Sequence, residues 1–255
     1  MTLYKRYILQ VVFVFSASIV SFGQRDVSEA IATPYVGIQY GANWTAGDLA
    51  ERYGFTNSIG TYAGYKLKSN WVFGIDGNFL FGNDVRIEGV MQNLMDKNGF
   101  ILNSSGEPSS VLLLSRGFNV NFAVSKIIPV WGSNPNSGIM IQLGAGYLWH
   151  KLRIEAQKDE VPQIEGDYKK GYDRLAIGMN VSEFIGYNYM ANRGILNFYA
   201  GFYAMHGFTK NQRDISWDFP NDKVDKKLRI EHLIGVKVGW LIPIYKRQAK
   251  DYYFN

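Results

Sequence analysis

Residues 138–150 read Gly-Ile-Met-Ile-Gln-Leu-Gly-Ala-Gly-Tyr-Leu-Trp-His, and this stretch alternates between two kinds of side chain. Successive side chains of a β-strand point to opposite faces, so one face of the stretch is apolar and ends in aromatic residues. That face consists of Ile139, Ile141, Leu143, Ala145, Tyr147 and Trp149. The other face carries Met140, Gln142, Gly144, Gly146 and Leu148. A strand whose outside meets lipid and whose inside meets a narrow lumen has this pattern, which predicts a transmembrane β-barrel.

Seven further segments repeat the alternation, which predicts an all-β, eight-stranded antiparallel up-and-down barrel. The predicted strands cover residues 35–44, 58–67, 71–81, 112–125, 138–150, 175–189, 195–208 and 228–242. The connections after the odd-numbered strands are long, about 13 to 27 residues, and those after the second, fourth and sixth are about 3 to 10. Transmembrane barrels have long extracellular loops and short periplasmic turns, and an even strand count leaves both termini in the periplasm.

The connecting segments and strand ends carry two further predictions. Residues 90–95 lie within the long loop after the third strand, and their sequence allows one or two helical turns. The fifth strand is able to extend beyond the membrane as far as Glu155.

A soluble eight-stranded barrel would also alternate, but its apolar face would point inward. Solvent-facing strands are rich in Lys, Glu, Thr and Arg, whereas the polar faces here hold mainly Gly, Asn, Ser, Gln and Tyr. Such residues suit a lumen that has room only for side chains. The predicted lumen plug consists of Tyr62, Tyr199, Tyr203, Asn119, Asn121 and Gln142. The predicted aromatic girdle, near the strand ends, consists of Trp44, Trp71, Tyr147, Trp149 and Trp240.

The N-terminus has the pattern of a secretory signal. Lys5 and Arg6 precede an apolar run over residues 7–20 that is short for a membrane span, and Ser-Phe-Gly at residues 21–23 suits a cleavage site. We expect cleavage after Gly23; an uncleaved membrane anchor is the alternative. The remaining boundaries are then a periplasmic lead-in over residues 24–33, the barrel over 34–245, and a basic, aromatic periplasmic tail over 246–255.

Composition excludes several classes of protein. The chain has no cysteine, which excludes a disulfide framework, a thiolate metal site and a lipid-modified cysteine. The net charge of +5 includes Lys5 and Arg6 of the leader, so the mature chain carries 25 basic and 22 acidic residues, or +3. The basic residues form no run, so nothing indicates nucleic acid as a partner. We expect no cofactor.

Four charged residues are the candidates for a charge network in the lumen. Asp76, Lys66 and Lys237 lie on inward positions of their strands, where an unpaired charge is costly. Such charges either plug the barrel or select solutes. Glu183 breaks the pattern of the sixth strand, because strict alternation points it at lipid. We expect a bulge near Ser182 that turns Glu183 inward, or else a contact with a partner protein.

Catalytic and metal motifs are missing from the sequence. His150, His206 and His232 are the only histidines, and no pair of them has metal-ligand spacing. The serines at positions 115, 125 and 182 lack a nucleophile context such as G-x-S-x-G. We therefore expect no catalytic residues, no metal site and no enzyme activity.

Several segments resemble outer-membrane β-barrel proteins of Bacteroidota, which are broadly similar to the small OmpA/OmpX-type barrels. They are Tyr-Val-Gly-Ile-Gln-Tyr-Gly at residues 35–41, Gly-Ala-Gly-Tyr at 144–147, and the leader ending Ser-Phe-Gly-Gln at 21–24. Residues 161–175 and 239–247 resemble a subgroup whose relatives include accessory barrels of type IX secretion or outer-membrane assembly machines. No catalytic or binding residues come with the resemblance.

Three functions follow as hypotheses. The first is a non-enzymatic scaffold or accessory subunit in the outer membrane of a Gram-negative bacterium. Its partners would be membrane lipid, lipopolysaccharide and proteins bound by its loops or by its tail. The second is a narrow pore for small solutes. The third is a barrel enzyme that acts on lipid or protein.

Overall fold

The computed structural model describes residues 29–131, 134–156, 160–191 and 196–244. Eight antiparallel strands form one closed barrel in which chain neighbours are also neighbours in space, and the last strand pairs with the first. The strands are β1 (Thr33–Gly47), β2 (Thr56–Lys66), β3 (Trp71–Gly82), β4 (Val111–Ile128), β5 (Gly138–Ala156), β6 (Ala176–Met190), β7 (Asn197–Asn211) and β8 (Arg229–Pro243). The prediction of an eight-stranded antiparallel up-and-down barrel is confirmed.

The strand pairing has a fixed stagger around the barrel. A path of paired residues that starts at Gly37 of β1 crosses all eight strands and returns to β1 at Gly47, ten residues further along. A stagger of this kind requires the strands to tilt against the barrel axis, and it sets the diameter. The resulting lumen is narrow enough for side chains to fill.

The strands are somewhat longer than their sequence patterns suggested. β5 continues to Ala156, beyond the possible extension to Glu155, because it stays paired with β4 as far as Val111. The long connections are L1 (48–55), L2 (83–110), L3 (157–175) and L4 (212–228). In L2 the helical turn is a single 3-10 turn, Gln92–Leu94, followed by a short hairpin of Ile101–Leu102 and Pro108–Ser109 that the sequence analysis did not predict.

The outward face of the barrel is a continuous apolar belt. Outward residues in the middle of the strands are large, apolar and exposed, and they include Ile38, Ile75, Phe122, Leu143, Phe202 and Ile234. No helix in the described part of the chain is long and apolar enough to cross a bilayer. A belt of this size in water would be unfavourable, so the exterior is built for hydrocarbon.

The five aromatic residues assigned to the girdle all lie on the outward register of their strands, at two levels. Trp44, Tyr147 and Trp149 lie toward the long-loop end, and Trp71 and Trp240 lie at the short-turn end. Lys126 lies over the Trp71 ring at 5.1 Å, and Lys151 lies over the Trp149 ring at 5.7 Å. Aromatic rings paired with cations at both rims suit the two membrane interfaces.

The leader (1–23) and the tail (246–255) lie outside the described residues, as does most of the lead-in (24–33). Their roles stay predictions.

Candidate functional site

The centre of the lumen holds a buried ion pair. Lys237 Nζ of β8 lies 3.8 Å from Asp76 Oδ2 of β3, two strands that do not pair with each other, so the contact crosses the lumen. Asp76 Oδ1 also accepts hydrogen bonds from the side-chain amides of Asn121, at 3.2 Å, and Asn78, at 3.4 Å. The charge on the carboxylate is thereby compensated where no water is needed.

Tyrosines complete this central layer. Lys237 Nζ lies 3.5 Å from the centre of the Tyr203 ring, a cation–π contact that compensates the ammonium group on its other side. The hydroxyl of Tyr199 donates to Gln39 Oε1, and Gln39 Nε2 donates to Asn78 Oδ1 at 2.6 Å. A connected polar network therefore runs from β7 to β3 and blocks the cross-section.

The remaining residues of the predicted plug are also buried in the lumen. The Tyr62 ring stacks on Tyr35 with centroids 5.7 Å apart. Gln142 accepts a hydrogen bond from the Ser125 hydroxyl at 3.1 Å. Asn119 is buried among them. These side chains fill the space below and beside the central layer.

The periplasmic mouth is closed by a separate set of contacts. Lys66 is fully buried, and its Nζ donates to Asn136 Oδ1 at 2.8 Å and to the carbonyl of Ile31 at 3.0 Å. Asn136 Oδ1 also accepts the backbone N–H of Ile31, and Asn134 Nδ2 donates to the carbonyl of Met190. Lys66 thus holds the end of the lead-in across the mouth and makes no ion pair with Asp76 in the described chain, which corrects its assignment to one network.

The extracellular end of the lumen holds a second buried acid–base pair. His150 Nε2 lies 2.8 Å from Glu231 Oε2, and the Tyr53 ring of L1 packs edge-on against the imidazole. Ser115 lines the same small cavity as His150, yet Ser115 Oγ and His150 Nδ1 have no hydrogen-bond partner in the described chain. The cavity has a volume of about 20 Å³, which holds one water molecule and no acyl substrate.

Above this pair, L2, L3 and L4 fold into a packed extracellular cap. Apolar side chains from L2 and L3 are buried against the extended end of β5; they are Val90, Met91, Ile101, Val161, Ile164, Tyr172, Leu152 and Ile154. The sequence analysis treated these loops as polar. It missed the cap because the buried residues are scattered singly through segments that lack any periodicity.

Carboxylates tie the cap loops together. Asp218 of L4 accepts the backbone N–H of Met91 at 2.7 Å and a guanidinium hydrogen bond from Arg174 at 3.0 Å. Asp173 accepts two hydrogen bonds from Arg213, a bidentate pair in which the carboxylate raises the pKa of the guanidinium. These contacts cross-link L2, L3 and L4, so the cap is a folded surface.

A cavity of about 450 Å³ opens between L1 and L4, and charged side chains of both signs line it. Arg174, Arg213 and Arg229 in its wall each have a carboxylate partner. Arg52 is buried without one, and burial lowers the pKa of its guanidinium, as does the nearby Arg229. Because most of its charges already pair internally, this cavity has no strong preference for one sign of ligand.

Glu183 lies on the outside of the barrel, which contradicts its assignment to the lumen. The pairing of β6 with β5 is unbroken from His150↔Ala176 to Gly138↔Asn188, so β6 contains no bulge near Ser182 and the alternation continues through Glu183. The side chain of Glu183 is 61% exposed. Register won over the cost of an outward carboxylate, because one slipped residue would have turned the rest of β6 inside out.

Two histidines lie beside Glu183 on the same outer wall. His206 Nε2 of β7 lies 3.6 Å from Glu183 Oε1, and His206 Nδ1 lies 2.7 Å from His232 Nδ1 of β8. We call Glu183, His206 and His232 the wall cluster. The sequence did hold a signal for it, since all three residues occupy outward positions on consecutive strands. Their atoms form a chain instead of converging, and no group of metal-ligating side chains is found in the described residues.

Comparisons with known proteins find structural neighbours only. No family model matches the chain, and no curated protein matches it. It is similar to the structure of Ail, the attachment invasion locus protein of Yersinia pestis, in complex with the heparin analogue sucrose octasulfate (TM-score 0.41, 10% identity, 83% of this chain and 99% of that chain). It is also similar to Neisserial surface protein A (0.38, 12%, 82% and 98%) and to the N-terminal β-barrel domain of Pseudomonas aeruginosa OprF (0.35, 10%, 83% and 100%). At these identities and scores the similarity assigns no activity to this chain.

Proposed function

We propose that this chain is a non-enzymatic scaffold or accessory subunit of a protein complex in the outer membrane of a Gram-negative bacterium, exported by a cleaved signal peptide. Its barrel anchors the chain in lipid and lipopolysaccharide, and its folded cap binds partner proteins. The secretion or barrel-assembly machines suggested by the resemblance to Bacteroidota barrels are the candidate complexes.

The observation that carries the proposal is the closure of the lumen at three levels. Lys66 and Asn136 close the periplasmic mouth, the Asp76–Lys237 layer fills the centre, and His150 with Glu231 fills the extracellular end. A transport path would need a continuous hydrated channel, and these side chains occupy it. What the barrel offers to its surroundings is therefore its surface.

The cap supplies a surface suited to protein contacts. Tyr168, Ile215 and Phe219 are exposed at the top of L3 and L4. Tyr168, Ile215 and Trp217 line a depression of about 410 Å³ that is rimmed by charged residues. Exposed apolar residues inside a polar rim are typical of protein-binding surfaces.

The pore alternative is tested by conductance. The purified protein, reconstituted into planar bilayers, should give no steady ion current. The control is a variant that combines Tyr62→Ala, Tyr199→Ala and Tyr203→Ala, which removes three rings from the lumen and should leak measurably. Discrete, reproducible channels from the unmodified protein would favour the pore.

The scaffold proposal is tested by isolation of the complex. Gentle detergent extraction and affinity purification should yield partner proteins at a fixed stoichiometry. The double variant Ile215→Ser/Tyr168→Ser should reduce that recovery while the barrel stays folded, as judged by its electrophoretic mobility before and after heating. Lys223→Ser, an exposed L4 change outside the depression, is the matched control. A protein that always migrates alone would contradict the proposal.

The enzyme alternative has one site to test, the His150–Glu231 pair beside Ser115. Its buried cavity holds a single water molecule, so we expect His150→Gln to change the stability of the barrel without abolishing any lipid or protein hydrolysis. Hydrolysis by the purified protein that disappears with Ser115→Ala would overturn this assignment.

A further inference from the structure

The wall cluster places polar groups where a lipid-facing wall should have none. Glu183 is the central residue of β6, seven positions from each end of the strand, and its neighbours on the wall include the apolar residues Leu143, Ile185 and Phe202. His206 and His232 lie nearer the extracellular rim on β7 and β8. A carboxylate at this depth is unfavourable against hydrocarbon.

The internal contacts of the cluster leave hydrogen-bonding capacity open. Glu183 Oε1 faces His206 at 3.6 Å, a separation longer than a good hydrogen bond. Within the described chain, no hydrogen bond reaches Glu183 Oε2 or His232 Nε2. The cluster therefore presents an open acceptor at mid-membrane and an open imidazole nitrogen nearer the rim.

Neither lipid nor a second copy of this chain supplies what Glu183 lacks. Acyl chains have no donors, and lipid headgroups lie at the rims. A second copy related by a two-fold axis along the membrane normal would bring residues of equal depth together. Glu183 would then face Leu143, Phe202 or the other copy's own Glu183, none of which donates.

We infer that the wall formed by β6, β7 and β8 is an intramembrane interface. A membrane-embedded segment of a partner protein packs on it and donates a hydrogen bond, from a lysine, arginine, amide or hydroxyl group, to Glu183. Charge complementarity selects this occupant, because a single donor at mid-membrane depth compensates the exposed carboxylate. This inference rests on the proposed scaffold function and locates one of its contact surfaces.

The first experiment measures the chain by itself. The protein and its Glu183→Leu variant are refolded into phosphatidylcholine vesicles, and their denaturant unfolding midpoints are compared. We expect the variant to have an equal or higher midpoint, because the carboxylate meets only lipid there. The matched control is Ile185→Val, on the same face of β6. A lower midpoint for Glu183→Leu would mean that the cluster stabilises this barrel alone, and would overturn the inference.

The second experiment locates the partner in the native outer membrane. A photocrosslinking phenylalanine derivative replaces Phe202 beside the cluster, Ile75 on the opposite wall, or Tyr168 on the cap, in separate variants. We expect a discrete protein adduct from position 202 and none from position 75. Adding Glu183→Leu to the position 202 variant should cut the adduct at least severalfold, whereas adding Ile185→Val should not.

The outcomes separate this inference from the scaffold proposal. Adducts from position 168 alone would keep the scaffold and overturn the intramembrane interface. A lipid adduct, or a dimer of this chain, from position 202 would also overturn it. The absence of protein adducts from both 168 and 202 would count against the scaffold itself.

Discussion

Lys237 Nζ and Asp76 Oδ2 lie 3.8 Å apart across the lumen, joining β8 to β3 without any backbone pairing between these strands. Both side chains are almost fully buried, so each one is the main charge compensation of the other. Removing one partner leaves the other charge buried alone, which costs far more than the pair contributes.

Lys237→Met should therefore destabilise the barrel by about 3 kcal/mol, since breaking a buried pair by removal of one partner has costs of this order. The measurement is denaturant unfolding in lipid vesicles. The double variant Asp76→Asn/Lys237→Met removes both charges and should recover most of the loss. If the single and double variants unfold alike, the pair contributes nothing and the lumen is held by shape alone.

The strands were predictable because their signal is local. In β5, every second residue from Ile139 to Trp149 meets hydrocarbon, so the period of two is written in the sequence itself. The filling of the lumen followed from the same parity, which placed Asp76 and Lys237 inside without showing that they meet. The meeting depends on the stagger of the whole barrel.

The cap and the wall cluster were not predictable in the same way. Val161 and Ile164 lie in a loop whose charged neighbours dominate any window, and their burial arises from contacts with L2 and β5 far along the chain. For Glu183 the parity was right, and the proposed bulge was wrong. The unfavourable carboxylate does not break the ladder, because the β-pairing of the whole strand outweighs one side chain.

The cap should respond to a change at Gly171, where a Cβ atom would overlap the indole ring of Trp217. Gly171→Ala forces that ring to move, and overpacking of this kind costs about 1–3 kcal/mol. The indole resonance of Trp217 in NMR spectra of micelle samples should shift, and protease cleavage in L4 should increase. Tyr168→Ala, an exposed change in the same loop, should leave both unchanged. An unmoved Trp217 resonance would show that L3 and L4 do not pack as described.

Asp218 should be the main tie of the cap, because its side chain is only 1% exposed and serves both Met91 and Arg174. Asp218→Ala removes both acceptors and leaves two buried donors, a loss of about 1.5–3 kcal/mol for bonds to a charged group. Limited proteolysis of L2 should accelerate by about tenfold or more, since 1.4 kcal/mol is a factor of ten. Asp222→Ala, on the exposed side of L4, is the control and should cleave at the original rate.

The tip of L2 should lose order in acid. Asp96 Oδ1 accepts the backbone N–H groups of Asn98 and Phe100, each at 2.8 Å, and the bond from Phe100 is the main cause that lowers the pKa of Asp96 from 3.8. A carboxyl whose pKa is lower in the folded loop stabilises that loop above about pH 4, and the contribution disappears as pH falls through the lowered value. NMR titration of the Asn98 and Phe100 amide shifts should therefore inflect below pH 3.8. Asp96→Ala should abolish the inflection and loosen residues 96–100 at every pH, whereas an inflection at or above 3.8 in the unmodified protein would mean that the two hydrogen bonds do not form.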